Sequence, residues 1–206
     1  WVPVAPEYGT WGAPDPMLYI DDMMGHLGLG YLVGWLTAAA RHGASHQAPQ
    51  VFQVATAKSL RDRAFGRSRL QFYTRAYASC APCSQGELAR SGARVATPGM
   101  TMLMLVADPG FCGGMGNVAT AVVELSEENP GYVADVVSCA GLFADAAPRR
   151  LGWMLDAFGN GAPDGLRGYC AGLSSSPSFL SPTASRQGTL DDAWDVFVNE
   201  EVEPDL

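Results

Sequence analysis

The chain has 206 residues, of which 48% are hydrophobic, and it carries a net charge of −8. This length suits one well-buried domain and is short for two. The acidic balance argues against general nucleic-acid binding, and five cysteines are too few, and odd in number, for a disulfide scaffold.

The N-terminal segment predicts an extended arm over residues 1–16, because Pro and Gly break any periodic pattern there. Its aromatic anchors on a partner would be Trp1, Tyr8 and Trp11. The chain opens without an initiator methionine and shows no charged and apolar targeting segment. We therefore expect a processed mature chain that is organellar or exported, with membrane association left open.

An apolar helix is predicted over residues 17–42, with Asp15 and Pro16 as its start and Gly43 as its stop. From Met23 to Ala40 the only strongly polar side chain is His26, so residues 23–40 reach the lower limit for a membrane span. We favour a core helix over a membrane-embedded one, and membrane contact remains the alternative. His26 is a candidate cofactor-binding residue, although a satisfied core histidine is the plainer interpretation.

A basic aromatic segment follows. Eight of the 13 Lys and Arg residues fall between Lys58 and Arg94, where only Asp62 and Glu87 oppose them. This mixture suits acidic protein surfaces, lipid headgroups or RNA. Residues 51–54 and 70–77 are predicted strands, and residues 58–70 could also be a surface helix. The residues of this segment expected to contact a partner are Arg61, Arg63, Arg67, Arg69 and Tyr73.

Two sets of residues have the spacing of metal or redox sites. Cys80 and Cys83 could form a metal knuckle or a dithiol, although no second close pair accompanies them. His42 and His46 are four residues apart, but Gly43 interrupts the helix, so we expect solvated loop histidines.

The best chemical candidate is a predicted strand at 101–107, a glycine-rich turn and a helix at 118–128. Gly113, Gly114 and Gly116 would let backbone N–H groups approach an anionic substrate or cofactor, and the turn would lower the pKa of Cys112, the candidate catalytic residue. The run matches neither a dinucleotide nor a Walker motif, so an ordinary turn is the favoured interpretation.

The C-terminal third predicts a strand within 132–143, a helix over 150–158, a Ser/Pro-rich connector at 172–188 and an acidic amphipathic helix at 189–206. That last helix, with Trp194 on its apolar side, could dock on the basic segment or on a partner.

Together these elements predict an α/β or α+β fold with a small mixed-sheet core flanked by helices, and one globular core over residues 17–171. We expect a non-catalytic accessory or structural subunit of a larger organellar complex, with other protein subunits as partners and nucleic acid not expected. One alternative is a small α/β enzyme that uses the Cys112 turn; another is a redox or metal module at Cys80 and Cys83. No cofactor is identified.

Overall fold

Six short strands form a mixed sheet in the computed structural model, which describes residues 14–44, 50–84, 92–174 and 176–205. The strands are β1 (Tyr31–Val33), β2 (Phe52–Thr56), β3 (Arg63–Phe65), β4 (Ser68–Thr74), β5 (Cys83–Ser84) and β6 (Val95–Ala96). Their order in the sheet is β3-β4-β2-β1-β6-β5. β2 pairs antiparallel with β1 and parallel with β4, and β3 and β4 form an antiparallel hairpin at one edge.

A layer of helices packs against this sheet. In the described part of the chain the helices are α1 (Ile20–Leu27), α2 (Trp35–Arg41), α3 (Pro98–Ala107), α4 (Met115–Glu128), α5 (Tyr132–Cys139), α6 (Ala146–Phe158) and α7 (Asp164–Ala171). The centre of the core is α3, which is buried from Gly99 to Val106 and contacts α2, α4, α5 and α6. The predicted fold class, a small mixed sheet flanked by helices, is confirmed.

The predicted apolar helix at 17–42 is wrong as a single element. Asp15 caps a 3₁₀ turn at Pro16–Leu18, α1 ends at Gly28 in the left-handed conformation, and β1 separates α1 from α2. Two glycines of this stretch serve packing inside the protein: a side chain at Gly30 would collide with Ser79, and one at Gly34 would collide with Met104 in the core. None of the described helices combines the length and the apolar character that a membrane crossing needs.

Two predicted strands are helices. Residues 101–107 belong to α3 and residues 132–139 to α5, while the helices predicted at 118–128 and 150–158 are confirmed within α4 and α6. α3 was misassigned because neighbours cover it on every side, so its sequence has no polar face from which a helical period could be detected.

The predicted acidic helix at 189–206 is also wrong. Three strands, β7 (Ser178–Phe179), β8 (Thr189–Asp191) and β9 (Val196–Val198), form a second sheet in the order β7-β9-β8. The chain reverses between β8 and β9, where the Asp191 carboxylate accepts the Trp194 N–H at 3.0 Å and Asp195 has a φ of 50°. This local turn competes with a helix because a short carboxylate side chain binds the backbone two or three residues away.

Buried arginines fasten the second sheet to α6. The Arg149 guanidinium donates to the carbonyls of Ser174 and Ser176, and Arg150 donates to the Phe179 carbonyl at 2.8 Å and the Val106 carbonyl at 3.2 Å. Both cations are therefore used inside the fold.

Candidate nucleic-acid interface

The β3–β4 hairpin carries the strongest exposed charge pattern in the described residues. Phe65 pairs with Ser68, so Gly66 and Arg67 form a two-residue turn, for which Gly66 supplies a φ of 55°. Every residue from Arg61 to Arg67 is exposed. This hairpin excludes the alternative of a surface helix at 58–70. The strand predicted at 70–77 overlaps β4, which ends at Thr74.

Within the described part of the chain, no carboxylate forms an ion pair with a hairpin cation. In the residues that the structure describes, ion pairs join Arg41 to Asp15, Arg75 to Asp108, Arg149 to Asp195 and Arg167 to Asp156, and none of them includes a hairpin arginine. The nearest acid in sequence, Asp62, accepts the Phe72 N–H at 3.0 Å and so stabilises the backbone of β4. The exposed cations are Lys58, Arg61, Arg63, Arg67 and Arg69.

A groove of about 610 Å³ lies between the hairpin turn, the start of β2 and the end of α2. Arg67 and Arg69 contribute to one wall and Arg41 to the other. Asp15 lies 2.7 Å from the Arg41 guanidinium, so this cation is already paired, whereas those of the turn are available to an anionic partner.

An aromatic cluster lies farther along β4. The Tyr73 ring stacks on Phe111 with centroids 3.9 Å apart, and both rings contact the edge of the buried Trp35. Asp108 accepts hydrogen bonds from Arg75 at 2.5 Å and from Trp35 Nε1 at 3.2 Å. Trp35 has a φ of 48°, a strained value for a bulky residue. Phe111 remains 37% exposed, so part of the cluster faces solvent.

This cluster brings together residues that sequence reasoning kept apart. Trp35 begins α2, Tyr73 and Arg75 belong to the basic segment, and Asp108 and Phe111 precede the glycine-rich turn. The available signal was the Pro109-Gly110 pair, which marks a turn and is flanked by a carboxylate and an aromatic residue.

The thiol of the Cys112 turn is packed inside the fold. Cys112 is fully buried, and burial raises the pKa of its thiol well above the ordinary value, so the predicted activation of this residue is wrong. The turn uses its own N–H groups, since Gly114 donates to the Pro109 carbonyl at 3.0 Å. Gly113 and Gly114 have φ values of 80° and 100°, which explains why glycine occurs there.

The C-terminal tail covers the start of α4. A side chain at Gly116 would lie 2.8 Å from the Glu203 carbonyl oxygen, and the Asp205 N–H donates to Thr120 Oγ1 at 2.9 Å. Gly116 therefore allows the chain to pack against its own tail, and the predicted approach of an anion at this residue is not supported.

The other predicted site residues are scattered. His26 is exposed in the last turn of α1, which corrects the expectation of a core histidine, and His42 is buried, which corrects the expectation of a solvated one. Cys80 is exposed with a free thiol, and Cys83 belongs to β5. Across residues 14–44, 50–84, 92–174 and 176–205, no three His, Cys, Asp or Glu side chains form a metal-binding group.

The predicted tryptophan anchors do not form a partner surface in the described chain. Trp194 is 3% exposed, and its Nε1 donates to Asp156 at 2.8 Å, so it is an internal contact of the second sheet with α6. Trp1, Trp11 and His46 lie outside the described residues.

Comparison with known proteins identifies a family. Residues 32–157, more than half of the chain, match the model of the AbiEi antitoxin C-terminal domain. The crystal structure of the RV2827C protein from Mycobacterium tuberculosis has a similar fold, with a TM-score of 0.65 and 14% sequence identity over 89% of this chain and 68% of that one. No curated protein matches the sequence.

The family match overturns the predicted function. A domain of an antitoxin is a component of a toxin–antitoxin system, so an accessory subunit of an organellar or membrane-bound complex is wrong. The organellar or exported location is wrong for the same reason. The exclusion of nucleic acid is corrected by the same match, since domains of this family are typically DNA-binding regulators.

Proposed function

The chain belongs to the AbiEi antitoxin C-terminal domain family, and from this membership we propose that it is the antitoxin of a toxin–antitoxin pair and contributes to regulation by binding DNA through the β3–β4 hairpin. The observation that carries the DNA-binding part is the set of exposed hairpin cations, which form no ion pair with any described carboxylate. As an antitoxin it would act in the cytoplasm.

Local charge decides this interaction more than net charge. At about 0.15 M salt the Debye length is about 8 Å, so a phosphate close to the hairpin interacts mainly with the cations around it. Each phosphate that an arginine neutralises releases condensed counterions, which is the main source of non-specific affinity for DNA. The net charge of −8 opposes binding over longer distances and so confines it to the hairpin.

The direct test replaces the hairpin arginines. We expect the variant Arg61→Gln/Arg63→Gln/Arg67→Gln/Arg69→Gln to bind a labelled DNA duplex roughly a thousand-fold more weakly than the unmodified chain at about 0.15 M salt, as expected for the loss of about four phosphate contacts. Fluorescence anisotropy measures the affinity. The control is Arg186→Gln, which removes an exposed arginine from the segment between β7 and β8. Equal affinities for both variants would contradict the assignment of DNA binding to the hairpin.

The aromatic cluster favours a second contact, with the toxin itself. Phe111 is 37% exposed beside Tyr73 and Arg75, and aromatic and arginine side chains dominate the energetics of protein interfaces. Trp35 contacts the Phe111 ring, and Asp108 accepts hydrogen bonds from Arg75 and Trp35. These contacts fix the positions of the exposed groups before a partner binds.

Rescue of cell growth tests this contact. We expect Phe111→Ala to weaken toxin binding by about 2 kcal/mol, the size of an interface hot spot, and to reduce the protection of cells that express the toxin. Leu190→Ala is the matched control, because Leu190 is also 37% exposed but lies in the second sheet. Full protection by the Phe111→Ala variant would place the toxin contact elsewhere.

A further inference from the structure

The hairpin has cations on both faces, and this arrangement specifies how it would meet DNA. We propose that the β3–β4 hairpin enters a groove of double-stranded DNA tip first, so that the arginines on its two faces contact phosphates of the two opposite strands. The inference rests on the proposed DNA-binding function and adds to it a binding mode and a preference for duplex over single strand.

The strand register places the cations on opposite faces. Arg63 pairs with Leu70, whereas Arg69 pairs with Ala64. Paired residues share a face of the sheet and neighbours along a strand alternate, so Arg63 and Arg69 extend from opposite faces. Arg67 lies in the turn between them, at the tip.

The hairpin tip is thin and exposed, and on one side it borders the groove that Arg41 also lines. Gly66, Ala64 and Ser68 are small, and Arg61 through Arg67 are all exposed. β3 is the edge strand of the sheet order, so no described strand pairs with its outer side. On the face of Arg63 the ring of Tyr19 contacts Phe65 with centroids 6.1 Å apart, and this contact supports the hairpin while leaving Arg63 exposed.

A groove with two phosphate walls fits this charge arrangement. The major groove of B-DNA is about 12 Å wide and admits a two-stranded ribbon, and β-ribbons are established readers of DNA grooves. A hairpin that lay flat on one phosphate backbone would use the cations of one face and leave those of the other face in solvent. Cations on both faces and at the tip are therefore better matched by insertion between two backbones.

The salt dependence of binding distinguishes the two modes. The probes are a duplex of about 20 base pairs and one of its strands alone, and the slope of log K against log salt is measured above about 0.1 M. The slope is negative, and we expect Arg63→Gln and Arg69→Gln each to make the duplex slope shallower by about 0.9. The double variant should make it shallower by about 1.8. Arg63→Lys and Arg69→Lys, which retain the charge, should retain the slope. The exposed Arg186→Gln variant is the control, and thermal unfolding checks that each variant is folded.

Ethylation of individual phosphates provides an independent measurement, and we expect interference on both strands across one groove. If only one of the two arginines changes the slope, or if interference is confined to one strand, the hairpin lies flat and the insertion is wrong while DNA binding stands. If the single strand binds as tightly as the duplex, the preference for duplex is wrong. If the unmodified chain does not bind duplex DNA, the proposed DNA-binding function itself fails.

Discussion

His42, at the end of α2, contacts the sheet through its ring and the end of α4 through its backbone carbonyl. Its ring Nε2 lies 2.6 Å from the Ala96 carbonyl oxygen, and its own carbonyl accepts the Asn129 side-chain N–H at 3.0 Å. The carbonyl of Ala96 can only accept, so Nε2 carries the proton in this contact. Burial lowers the pKa of His42 below its ordinary value of 6.5, against smaller opposing effects of the Ala96 carbonyl and Asp135.

This histidine makes the stability of the fold depend on pH. Because the folded pKa lies below the unfolded one, the unfolded chain binds a proton first as pH falls below about 6.5, and the free energy of unfolding decreases there. We expect His42→Gln, which cannot titrate, to lose this part of the pH dependence. Urea unfolding of both proteins between about pH 7.5 and pH 5 measures it. Parallel curves for the two proteins would show that His42 does not contribute.

At the residue scale the sequence identified the exposed cations correctly but not the state of single buried groups. Arg61 to Arg69 stand out because four arginines there face a single acid, Asp62, and the structure leaves all four exposed. Cys112 and His42 were misjudged because their chemistry depends on burial by α3 and its neighbours, which are distant in the chain. The ion pair of Arg75 with Asp108 joins residues 33 positions apart, and no local pattern indicates it.

The contact between α6 and the second sheet depends on one glycine. A Cβ atom at Gly152 would lie 2.1 Å from the Trp194 ring, so the ring sits directly on the helix backbone. Arg167 covers the other side of the ring at 5.1 Å and pairs with Asp156 at 2.6 Å, and Asp156 also accepts the indole N–H of Trp194. The sheet is therefore held by packing and hydrogen bonding at the same residue.

A glycine-to-alanine pair tests this contact. We expect Gly152→Ala to lower the free energy of unfolding by about 1–3 kcal/mol, because the new methyl group displaces Trp194. Gly168→Ala is the matched control: Gly168 lies in α7, a Cβ there meets nothing within 4 Å, and alanine should stabilise the helix by about 0.5–1 kcal/mol. Urea unfolding measures both. Changes of the same sign in the two variants would contradict the assigned role of Gly152.

At the element scale, prediction succeeded for helices with one polar face and for the strands at 51–54 and 70–74, and it failed in the apolar runs and in the C-terminal segment. α4 and α6 have polar and apolar faces and a clear stop, so their periods are visible in sequence. The apolar run at 23–40 has no such period, and its division into α1, β1 and α2 is determined by contacts such as that of Gly30 with Ser79. Residues 189–198 show the opposite error, since Leu190, Trp194 and Phe197 mimic helical spacing. In the structure Leu190 pairs with Phe197 across β8 and β9, and Trp194 lies in the turn between these strands.

The whole molecule separates its charges. The hairpin carries exposed cations at the sheet edge, Arg149 and Arg150 are buried, and Glu201, Glu203 and Asp205 are exposed along the C-terminal tail. This segregation is visible in the sequence, but the sequence does not identify the partner. The net charge of −8 pointed away from nucleic acid. The family match and the exposed hairpin geometry together reverse that interpretation.

Charge segregation should make DNA binding non-monotonic in salt. At about 0.01 M salt the Debye length is about 30 Å, so DNA interacts with the whole molecule and its charge of −8, whereas at about 0.1 M it is about 10 Å and the hairpin dominates. We expect the affinity for a duplex to be flat or to rise from about 0.01 to 0.05 M and to fall above about 0.1 M. Titrations by fluorescence anisotropy measure this curve. Glu201→Gln/Glu203→Gln, which removes two negative charges far from the hairpin in sequence, should strengthen binding at low salt and leave it unchanged above about 0.1 M. A linear decrease over the whole range in the unmodified chain would show that the acidic remainder does not repel the DNA.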